Sequence, residues 1–369
     1  MSTDPSSQGG DFLTPLSFVD DQKPLDGSLR GKLVIAGCCS GTYLSERVAE
    51  RYSQLLAEAG HDPEVRHLGD IDRRFSNTET CVRLEEHVGG ADVFLFQAPF
   101  DPVSNRPVDQ NYMAFLIAAR TFREHGARYV TGVLPYLAYS RQDKPTKFTR
   151  EPTTARLMAD LSIASGISRL ITWDPHAGQI RGFYDSIPAN MLDSLSLFIN
   201  EFSEFKGRND AIVVAPDAGA SKFVTHVARG LGIKSAIAAK YRPKPEQVVI
   251  SEIIGDFTGK RVAIIVDDMI SGGGTIDALV RKLVEEHGIE EIHLGVSHSL
   301  LVGNALETLK HLHDEYNLVR VVITNSIPQT PEVENLPFLK VRCLSETFAR
   351  VINRIHHDRS VSDVFYRPS

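Results

Sequence analysis

Short apolar runs alternate along the chain with longer segments in which apolar residues recur at every third or fourth position. In the first half, "KLVIAGC" is followed by "YLSERVAERYSQLLAEAG", which ends in a glycine. In the second half, "RVAIIVDDMI" is followed by "TIDALVRKLVEEHG". The short runs predict buried strands, and the longer segments predict amphipathic helices. Because strands that alternate with helices of about ten to fifteen residues form parallel sheets covered by helices, the pattern predicts an α/β fold.

The alternation of strands and helices starts again near residue 208, which predicts two domains. A chain of 369 residues is long enough for two hydrophobic cores. We place the first domain at residues 31–192 and the second at residues 193–369, each a mostly parallel sheet flanked by helices. Whether the last helix packs back on the first domain is left open. Residues 1–30 are rich in Ser, Asp, Pro and Gly and are predicted to form a flexible arm.

The composition is that of a globular protein, with 42% apolar and 24% charged residues. No apolar stretch approaches the roughly 18–20 residues that a transmembrane helix needs, and the polar N-terminus lacks the apolar centre of a signal peptide. We therefore expect a cytoplasmic protein without membrane contacts. The net charge of −7 argues against nucleic-acid binding, although it allows a phosphorylated substrate. The four cysteines show no CxxC pairing, so neither a zinc site nor a disulfide framework is predicted.

The segment "VDDMISGGGTI" places two carboxylates and three successive glycines at the carboxyl end of a predicted strand. In parallel α/β sheets, ligands bind beyond this end, where a loop exposes backbone N–H groups at the start of a helix. Glycines allow the backbone to approach a phosphate closely, and Thr275 is predicted to cap the helix. A tight turn would explain the glycines alone. It would not explain Asp267 and Asp268, which would repel a phosphate and are predicted to contact ribose hydroxyls or a cation.

The same segment resembles the phosphoribosyl-diphosphate (PRPP) loop of proteins with the type I phosphoribosyltransferase fold. Seven further segments occur in the order found in ribose-phosphate pyrophosphokinases, the PRPP synthetases: "RFSNTETCVRL", "YLAYSRQDK", "REPTTARLMADL", "WDPHAGQIRGFYDSIP", "VVAPDAGASK", "AKYRPKPEQ" and "VVITNSIP". The resemblance covers roughly residues 33–366. It implies two phosphoribosyltransferase-like domains and the activity of a PRPP synthetase. Ordinary phosphoribosyltransferases lack the first half of this set.

Two segments of the first domain are implied to bind ATP. In "RFSNTET", Phe75, Asn77 and Glu79 fall at alternating positions and would share one face if the segment were extended. An aromatic ring, an amide and a carboxylate suit contacts to adenine, although an ordinary exposed strand would show the same pattern. In "SRQD", an arginine can bind a polyphosphate, although a lone arginine after a strand is more often a surface residue. The resemblance implies that this second segment binds ATP through Arg141, Gln142 and Asp143.

A histidine and an aspartate are the implied ligands of a magnesium ion. His176 of "WDPHAGQ" follows the predicted strand "RLIT", and a neutral imidazole nitrogen can bind a metal or contact a phosphate. A lone histidine is more often structural, but the resemblance places His176 on the magnesium and the triphosphate, in a catalytic role. Asp217 of "APDAG" resembles the second metal-associated carboxylate of the family. Because Mg²⁺ keeps several waters and substrate phosphates, one or two protein ligands are enough.

The segment "AKYRPKPEQ" carries the implied catalytic cations. Its composition alone favours a solvated basic connector. The resemblance instead implies a mobile catalytic loop whose lysine and arginine, here Lys240 and Arg242, close over the transferring group. Cations on a flexible lid would stabilise the negative charge that the reaction moves and would exclude water.

The chain departs from the family pattern at the phosphate loop and at a regulatory segment. The usual Asp-Thr-Gly/Cys-Gly-Thr is here Ser271-Gly272-Gly273-Gly274-Thr275, which removes an acid and one hydroxyl. A backbone nest with the hydroxyls of Ser271 and Thr275 is still expected to hold the phosphate of ribose 5-phosphate. Where many family members have "ESVRG", this chain has "EHVGG", so regulation by phosphate or ADP through that segment stays open.

The sequence therefore predicts a Mg²⁺-dependent enzyme that converts ATP and ribose 5-phosphate to PRPP and AMP. The resemblance also implies a homo-oligomer built from dimers, up to a hexamer. A second hypothesis, motivated by the altered phosphate loop, is a non-catalytic, PRPP-synthetase-like regulatory subunit that associates with an active homologue. A third, a phosphoribosyltransferase that uses PRPP and a base, would leave the ATP segments idle. Against the second hypothesis stand four retained residues that a subunit freed from catalysis would not need: His176, Asp217, Lys240 and Arg242.

Overall fold

The computed structural model describes residue 14 and residues 30–146, 148–244 and 247–364. The described residues up to Asp193 and from Cys343 onward form one compact unit, and Ser194–Arg342 form a second. Almost all of the predicted arm, residues 1–30, lies outside the described residues. Both units alternate strands with helices, so the predicted α/β class with mostly parallel sheets is confirmed.

The first unit contains one large sheet and a small antiparallel pair. The sheet strands are β1 (Leu33–Gly37), β2 (Arg66–Leu68), β5 (Asp92–Phe96), β6 (Tyr129–Leu134), β7 (Arg169–Trp173) and β8 (Ala189–Leu192), and the pair is β3 (Asp72–Arg74) with β4 (Thr80–Val82). The sheet is parallel throughout, in the order β2-β1-β5-β6-β7-β8. The helices between its strands are α1 (Thr42–Glu58), α2 (Val108–Glu124) and α3 (Thr154–Ser165), and a 3₁₀ segment spans Gly178–Tyr184.

The second unit is built on a seven-stranded sheet. Its strands are β9 (Ala211–Ala215), β10 (Lys234–Lys244), β11 (Gln247–Ile254), β12 (Val262–Ile270), β13 (Glu291–Ser299), β14 (Leu318–Thr324) and β15 (Leu339–Arg342). Their order is β11-β10-β9-β12-β13-β14-β15, and only the pair β10–β11 is antiparallel. The helices are α4 (Leu195–Glu201), α5 (Ser221–Leu231), α6 (Gly274–His287), α7 (Ala305–Glu315) and α8 (Pro331–Glu334), with a 3₁₀ turn at Ser203–Phe205.

The apolar run of the central strand β12 is buried on both faces of the sheet. Val262, Ile264 and Val266 belong to the apolar cluster that includes residues of α4 and α5. Ala263 and Ile265 point to the opposite cluster, which includes residues of α6 and β13. This explains why the strand reads as a continuous hydrophobic run instead of an alternating one. Polar groups are therefore confined to the carboxyl end of the strand, where it leaves the core.

A buried ion pair anchors both ends of the first unit's chain to its sheet. Helix α9 (Ser345–His356) belongs to this unit, and a last 3₁₀ turn follows at Ser362–Val364. Asp92, which is fully buried at the start of β5, accepts hydrogen bonds from Arg30 at 2.8 and 3.1 Å and lies 2.8 Å from Nδ1 of His356. The Arg30 guanidinium also lies 4.1 Å above the ring of Tyr129. Because a buried carboxylate needs paired donors, these contacts fix the position of α9.

Within the described residues, every helix is too short or too polar to cross a membrane.

Candidate active site

The glycine-rich segment lies at the carboxyl end of β12 and runs directly into helix α6. The helix begins at Gly274, and its N-cap is Gly273, which adopts a left-handed φ of 80°. The prediction that Thr275 caps the helix is wrong, because Thr275 already lies inside the first turn and no side chain caps it. The first turn therefore leaves backbone N–H groups without side-chain acceptors, an arrangement that suits a phosphate. Around Gly272, an added Cβ would meet open space, so this end of the cradle can admit a ligand.

Two adjacent carboxylates precede the cradle on β12. Asp267 and Asp268 are both partly buried, and the Oδ1 atom of Asp267 accepts a hydrogen bond from the backbone N–H of Asp268 at 3.0 Å. Burial, followed by the nearby charges of Asp268 and Asp217, raises the pKa of Asp267 well above its usual range. The charges of Asp268 and Asp217 therefore disfavour ionisation of Asp267 at the carboxyl end of this sheet. Ligand hydroxyl donors or a cation would relieve that repulsion.

Asp217 lies in the loop after β9, the strand next to β12. Its Oδ1 atom accepts hydrogen bonds from the backbone N–H groups of Gly219 at 2.9 Å and Ala220 at 3.3 Å. Its Oδ2 atom accepts a hydrogen bond from Nζ of Lys240 at 2.6 Å. Burial works to raise the pKa of Asp217, but the hydrogen bond and charge of Lys240 outweigh it and lower the pKa. Two residues proposed from distant segments of the sequence therefore form one ion pair.

Lys240 reaches this position from a β-hairpin. The segment "AKYRPKPEQ" was expected to be a loop, but Lys240 and Tyr241 pair with residues of β11 and belong to strand β10. The expectation failed because β-branched residues such as Val249 and Ile250 lie on the facing strand and favour pairing. The backbone of Arg242 continues β10, and its side chain lies outside the described residues.

In the first unit, the segment "RFSNTET" forms the turn between β3 and β4. Asn77 and Glu79 are joined by two hydrogen bonds, from Asn77 Nδ2 to Glu79 Oε2 at 2.8 Å and from the Glu79 N–H to Asn77 Oδ1 at 3.2 Å. Thr78 between them has a left-handed φ of 73°. A turn, and not an extended segment, therefore brings the Asn77 and Glu79 side chains together. The turn leaves Phe75 57% exposed, which makes its ring available for stacking.

The Phe75 turn borders a cavity that the sequence did not predict. Its volume is about 450 Å³, and helix α2 supplies the facing wall. Met113 of α2 is 51% exposed and lines this cavity. Because the exposure of Met113 is a property of the folded helix, the sequence alone does not indicate this wall. The lining residues are Phe75, Thr78, Glu79, Thr80, Asp109, Gln110, Met113 and Ile117.

The loops after β6 and β7 are joined by a hydrogen bond that the sequence did not suggest. Arg141 and Gln142 are exposed, but Asp143 is buried, and its carboxylate accepts a hydrogen bond from the side-chain amide of Gln179. Gln179 lies three residues beyond His176, whose side chain is exposed at the carboxyl end of β7. Asp143 therefore links the "SRQD" segment to the loop that carries His176.

The donor set is compatible with a magnesium ion that keeps most of its water. Within the part of the chain that the structure describes, no three His, Cys, Asp or Glu side chains close into a metal-binding group. A magnesium ion that takes one or two carboxylates, waters and substrate phosphates needs no such group. Asp217, with two backbone donors on its other oxygen, is an oriented carboxylate of this kind. Besides burial, the charges of Asp268 and Asp217 raise the pKa of Asp267, and a hard cation near Asp217 would offset that repulsion.

Comparison with known families matches both halves of the chain. A family model described as the N-terminal domain of ribose phosphate pyrophosphokinase matches residues 33–166. A phosphoribosyl transferase domain model matches residues 184–334. The predicted phosphoribosyltransferase-like character of the two units is therefore confirmed.

Similar proteins of known identity cover nearly the whole chain. The ribose-phosphate pyrophosphokinase of Caldanaerobacter subterraneus is 39% identical over 326 residues, which is 88% of this chain and 95% of that protein. The ribose-phosphate pyrophosphokinase of Campylobacter jejuni is 34% identical over 338 residues, which is 91% of this chain and 100% of that protein. The crystal structure of phosphoribosylpyrophosphate synthetase from Mycobacterium smegmatis matches with a TM-score of 0.75 and 29% identity, covering 89% of this chain and 99% of that chain.

Proposed function

We propose that this chain, which belongs to the ribose-phosphate pyrophosphokinase family, transfers the diphosphoryl group of ATP to ribose 5-phosphate and gives PRPP and AMP. One observation carries the proposal beyond the family. A glycine cradle at a helix N-terminus, a pair of carboxylates and the Asp217–Lys240 ion pair meet at the carboxyl edge of the second unit's sheet. Phosphate, sugar hydroxyls and a transferring phosphoryl group are the ligands that these three features suit.

Ribose 5-phosphate is proposed to bind along the end of β12 and the start of α6. The 5-phosphate would accept hydrogen bonds from backbone N–H groups of residues 272–275 and from the hydroxyls of Ser271 and Thr275. The ribose hydroxyls would donate to the carboxylates of Asp267 and Asp268. Because ionised carboxylates only accept hydrogen bonds, hydroxyl donors would stabilise the charge that is costly in the free protein.

ATP is proposed to bind the residues of the first unit. Phe75 would stack on adenine, and the hydrogen-bonded Asn77 and Glu79 side chains would contact its polar edge. The exposed residues after β6 and β7 would contact the phosphates. Asp143 would contribute to ATP binding indirectly. It accepts a hydrogen bond from Gln179 and would thereby hold in place the loop that carries His176. The phosphate contacts in this proposal are Arg141, Gln142 and His176.

Magnesium is the proposed cofactor, held by Asp217 and His176 together with ATP phosphates. When bound, the ion would neutralise phosphate oxygens and fix their geometry. The oriented carboxylate of Asp217 supports this role, since carboxylate oxygens are the protein ligands that Mg²⁺ prefers.

The chemical step would be an in-line displacement at the β-phosphorus of ATP. The ribose 1-hydroxyl oxygen would bond to that phosphorus, the bond from the phosphorus to the α–β bridging oxygen would break, and AMP would leave. The hydroxyl proton would be lost to solvent. Lys240 and Arg242 would stabilise the negative charge on the transferring diphosphoryl group. Most of the rate enhancement would therefore come from positioning and charge stabilisation.

The test is the formation of AMP and PRPP by purified protein supplied with Mg-ATP, with and without ribose 5-phosphate. We expect AMP only when ribose 5-phosphate is present, and PRPP in equal amount by mass spectrometry. A Lys240→Met variant, prepared in the same way, is the control for a contaminating enzyme. Its rate of AMP formation should fall if this site makes the product, whereas a contaminating activity would be unchanged. AMP that forms at the same rate without ribose 5-phosphate would contradict the proposal.

The second candidate function is a non-catalytic regulatory subunit, and the Ser271-Gly272 departure in the cradle favours it. This candidate predicts that ATP binds but is not turned over. Addition of an active homologue would then change the rate of that homologue. The proposed enzyme instead turns over by itself as a homo-oligomer built from dimers, up to a hexamer, and sedimentation velocity of the active protein measures that state.

A further inference from the structure

The hairpin formed by β10 and β11 has an irregular step directly at Lys240. Ala239 pairs with Glu252, but Lys240 pairs with Ile250, so Ser251 is left without a position opposite it on β10. Ser251 is therefore the extra residue of a β-bulge. Its hydroxyl donates a hydrogen bond to the backbone carbonyl oxygen of Ala239 at 3.0 Å, which ties the bulge to the residue before the lysine.

The spacing of buried residues on β11 depends on this extra residue. Ile250 and Ile253 are both buried, with 6% and 8% of their surface exposed, although they are three positions apart. In a regular strand, residues three apart point to opposite faces of the sheet. Ser251 adds one residue between them and returns Ile250 to the core face. The exposed neighbours, Val249 and Ile254, mark the other face.

The same step affects the lysine on the facing strand. Ala236 and Ala238 are buried on the core face of β10, and Lys240 continues that face by the period of two. Its side chain is only 18% exposed and reaches Asp217. A bulge bends its strand and increases the local twist, so it changes the direction in which the side chain at the bulge points. The side chain of Lys240 therefore extends from the sheet at the point where the bulge bends the hairpin.

We propose that Ser251 is a positioning residue, whose bulge and hydroxyl direct Lys240 toward the transferring phosphoryl group. The inference rests on the function proposed above. The competing explanation is that the bulge serves only to bury the two isoleucines. The two explanations differ in what they predict for a hairpin that keeps both isoleucines buried but has no bulge.

Deletion of Ser251 produces such a hairpin. Glu252 stays opposite Ala239 and Ile250 stays opposite Lys240, so the pairs and the buried residues are kept while the bend is lost. We expect kcat to fall about tenfold or more while KM for both substrates changes less than about twofold, since misplacement of a catalytic group affects the transition state. The melting temperature should stay close to that of the wild type. If kcat is unchanged, the bulge is structural only and the inference is wrong.

Point variants and a second background separate the remaining outcomes. Ser251→Ala removes the hydroxyl bond and should lower kcat about threefold, and Ser251→Thr, which keeps a hydroxyl, should restore it. This pair decides the inference if the deletion variant does not fold.

In a Lys240→Met background, Ser251→Ala should have no further effect on kcat, whereas an equal loss of kcat in both backgrounds would overturn the inference. A wild type that makes no PRPP would instead overturn the proposed function, and the inference with it.

Discussion

The Nζ atom of Lys240 lies 2.6 Å from the Oδ2 atom of Asp217, and both side chains are mostly buried. In the proposed reaction, each of these groups contacts something else: the lysine contacts the transferring diphosphoryl group, and the carboxylate contacts magnesium. The ion pair therefore neutralises both charges in the substrate-free protein. Binding of magnesium-ATP would exchange this one contact for two, at little electrostatic cost.

The role of Lys240 is tested by its replacement with methionine, which keeps the length of the side chain and removes its charge. We expect kcat to fall by about 10²–10³, with little change in ATP affinity, because the charge acts on the transition state. Lys234→Met is the matched control, since Lys234 lies on the same strand in an exposed ion pair with Asp256. Steady-state kinetics measures kcat, and calorimetry measures the affinity for ATP. Equal losses of affinity and rate in Lys240→Met would contradict the catalytic role.

The phosphate cradle is tested by Gly273→Ala. Gly273 has a left-handed φ of 80° and supplies the N-cap of α6, so a Cβ strains the loop at the point where the phosphate is proposed to bind. KM for ribose 5-phosphate should rise about tenfold or more, while KM for ATP should stay within about twofold. Gly288→Ala is the control, because Gly288 ends the same helix with a similar φ of 66° and open space around it. If KM for ribose 5-phosphate rises equally in Gly288→Ala, the effect comes from strain in the helix and not from the phosphate site.

The charge cluster at the end of β12 predicts a stability that depends on pH. The pKa of Asp267 is raised in the folded state, so the unfolded chain ionises first as pH increases, and stability is lost between the unfolded and the folded pKa. Asp267→Asn should therefore melt above the wild type near pH 8, and the difference should vanish near pH 4. Thermal unfolding at several pH values measures this, and one kcal/mol corresponds to about 2–4 °C in a domain of this size.

An aspartate with the opposite shift serves as the control for that experiment. Lys234 holds the pKa of the exposed Asp256 below its usual range, so Asp256 contributes stability above its unfolded pKa that is lost as pH falls. Asp256→Asn should not be more stable than the wild type near pH 8. If Asp267→Asn were also no more stable there, burial and the neighbouring carboxylates would not disfavour the ionised form of Asp267 as described. The same Asp267→Asn variant should bind ribose 5-phosphate more weakly, because stability and function conflict at this site.

The link between the two loops of the first unit is tested by Asp143→Ala. Loss of the acceptor for Gln179 should release the loop that carries His176, and KM for ATP should rise about tenfold with KM for ribose 5-phosphate unchanged. Asp160→Ala is the control, since Asp160 pairs with Arg156 on the surface of α3. Gln179→Leu should reproduce the Asp143→Ala effect. If Gln179→Leu has no effect, Asp143 acts on ATP by a direct contact and not through the loop.

The sequence could predict the features that depend on local chain physics. The apolar run of β12, the glycines after it and the amphipathic α6 are contiguous in sequence, and together they predicted the cradle and its place at the strand end. The resemblance added the residues of the first unit, whose chemistry could not be inferred from composition. The strand-helix alternation also predicted the α/β class, because the period of the hydrophobic pattern differs between the two elements.

The sequence could not predict contacts between distant segments or the path of short irregular ones. The Asp217–Lys240 pair joins a residue of the loop after β9 to a residue of β10, and nothing local in either segment indicates the other. The turn at Thr78 depends on one left-handed residue that is not a glycine. The segment at Lys240 was predicted as a loop because its basic composition and the resemblance both favoured one, whereas pairing with a strand that carries β-branched residues decided the outcome. The bulge at Ser251 depends on that pairing, so the sequence could not predict it either.

The position of the bond that breaks in ATP tests the central claim most directly. The purified protein would be given magnesium, ribose 5-phosphate and ATP labelled with ³²P at either the α- or the γ-phosphorus, and the products would be separated. Attack at the β-phosphorus predicts that the α label appears only in AMP and that the γ label appears only in PRPP. Label from the γ position in inorganic phosphate or in a singly phosphorylated ribose 1-position, with ADP as the other product, would contradict the account.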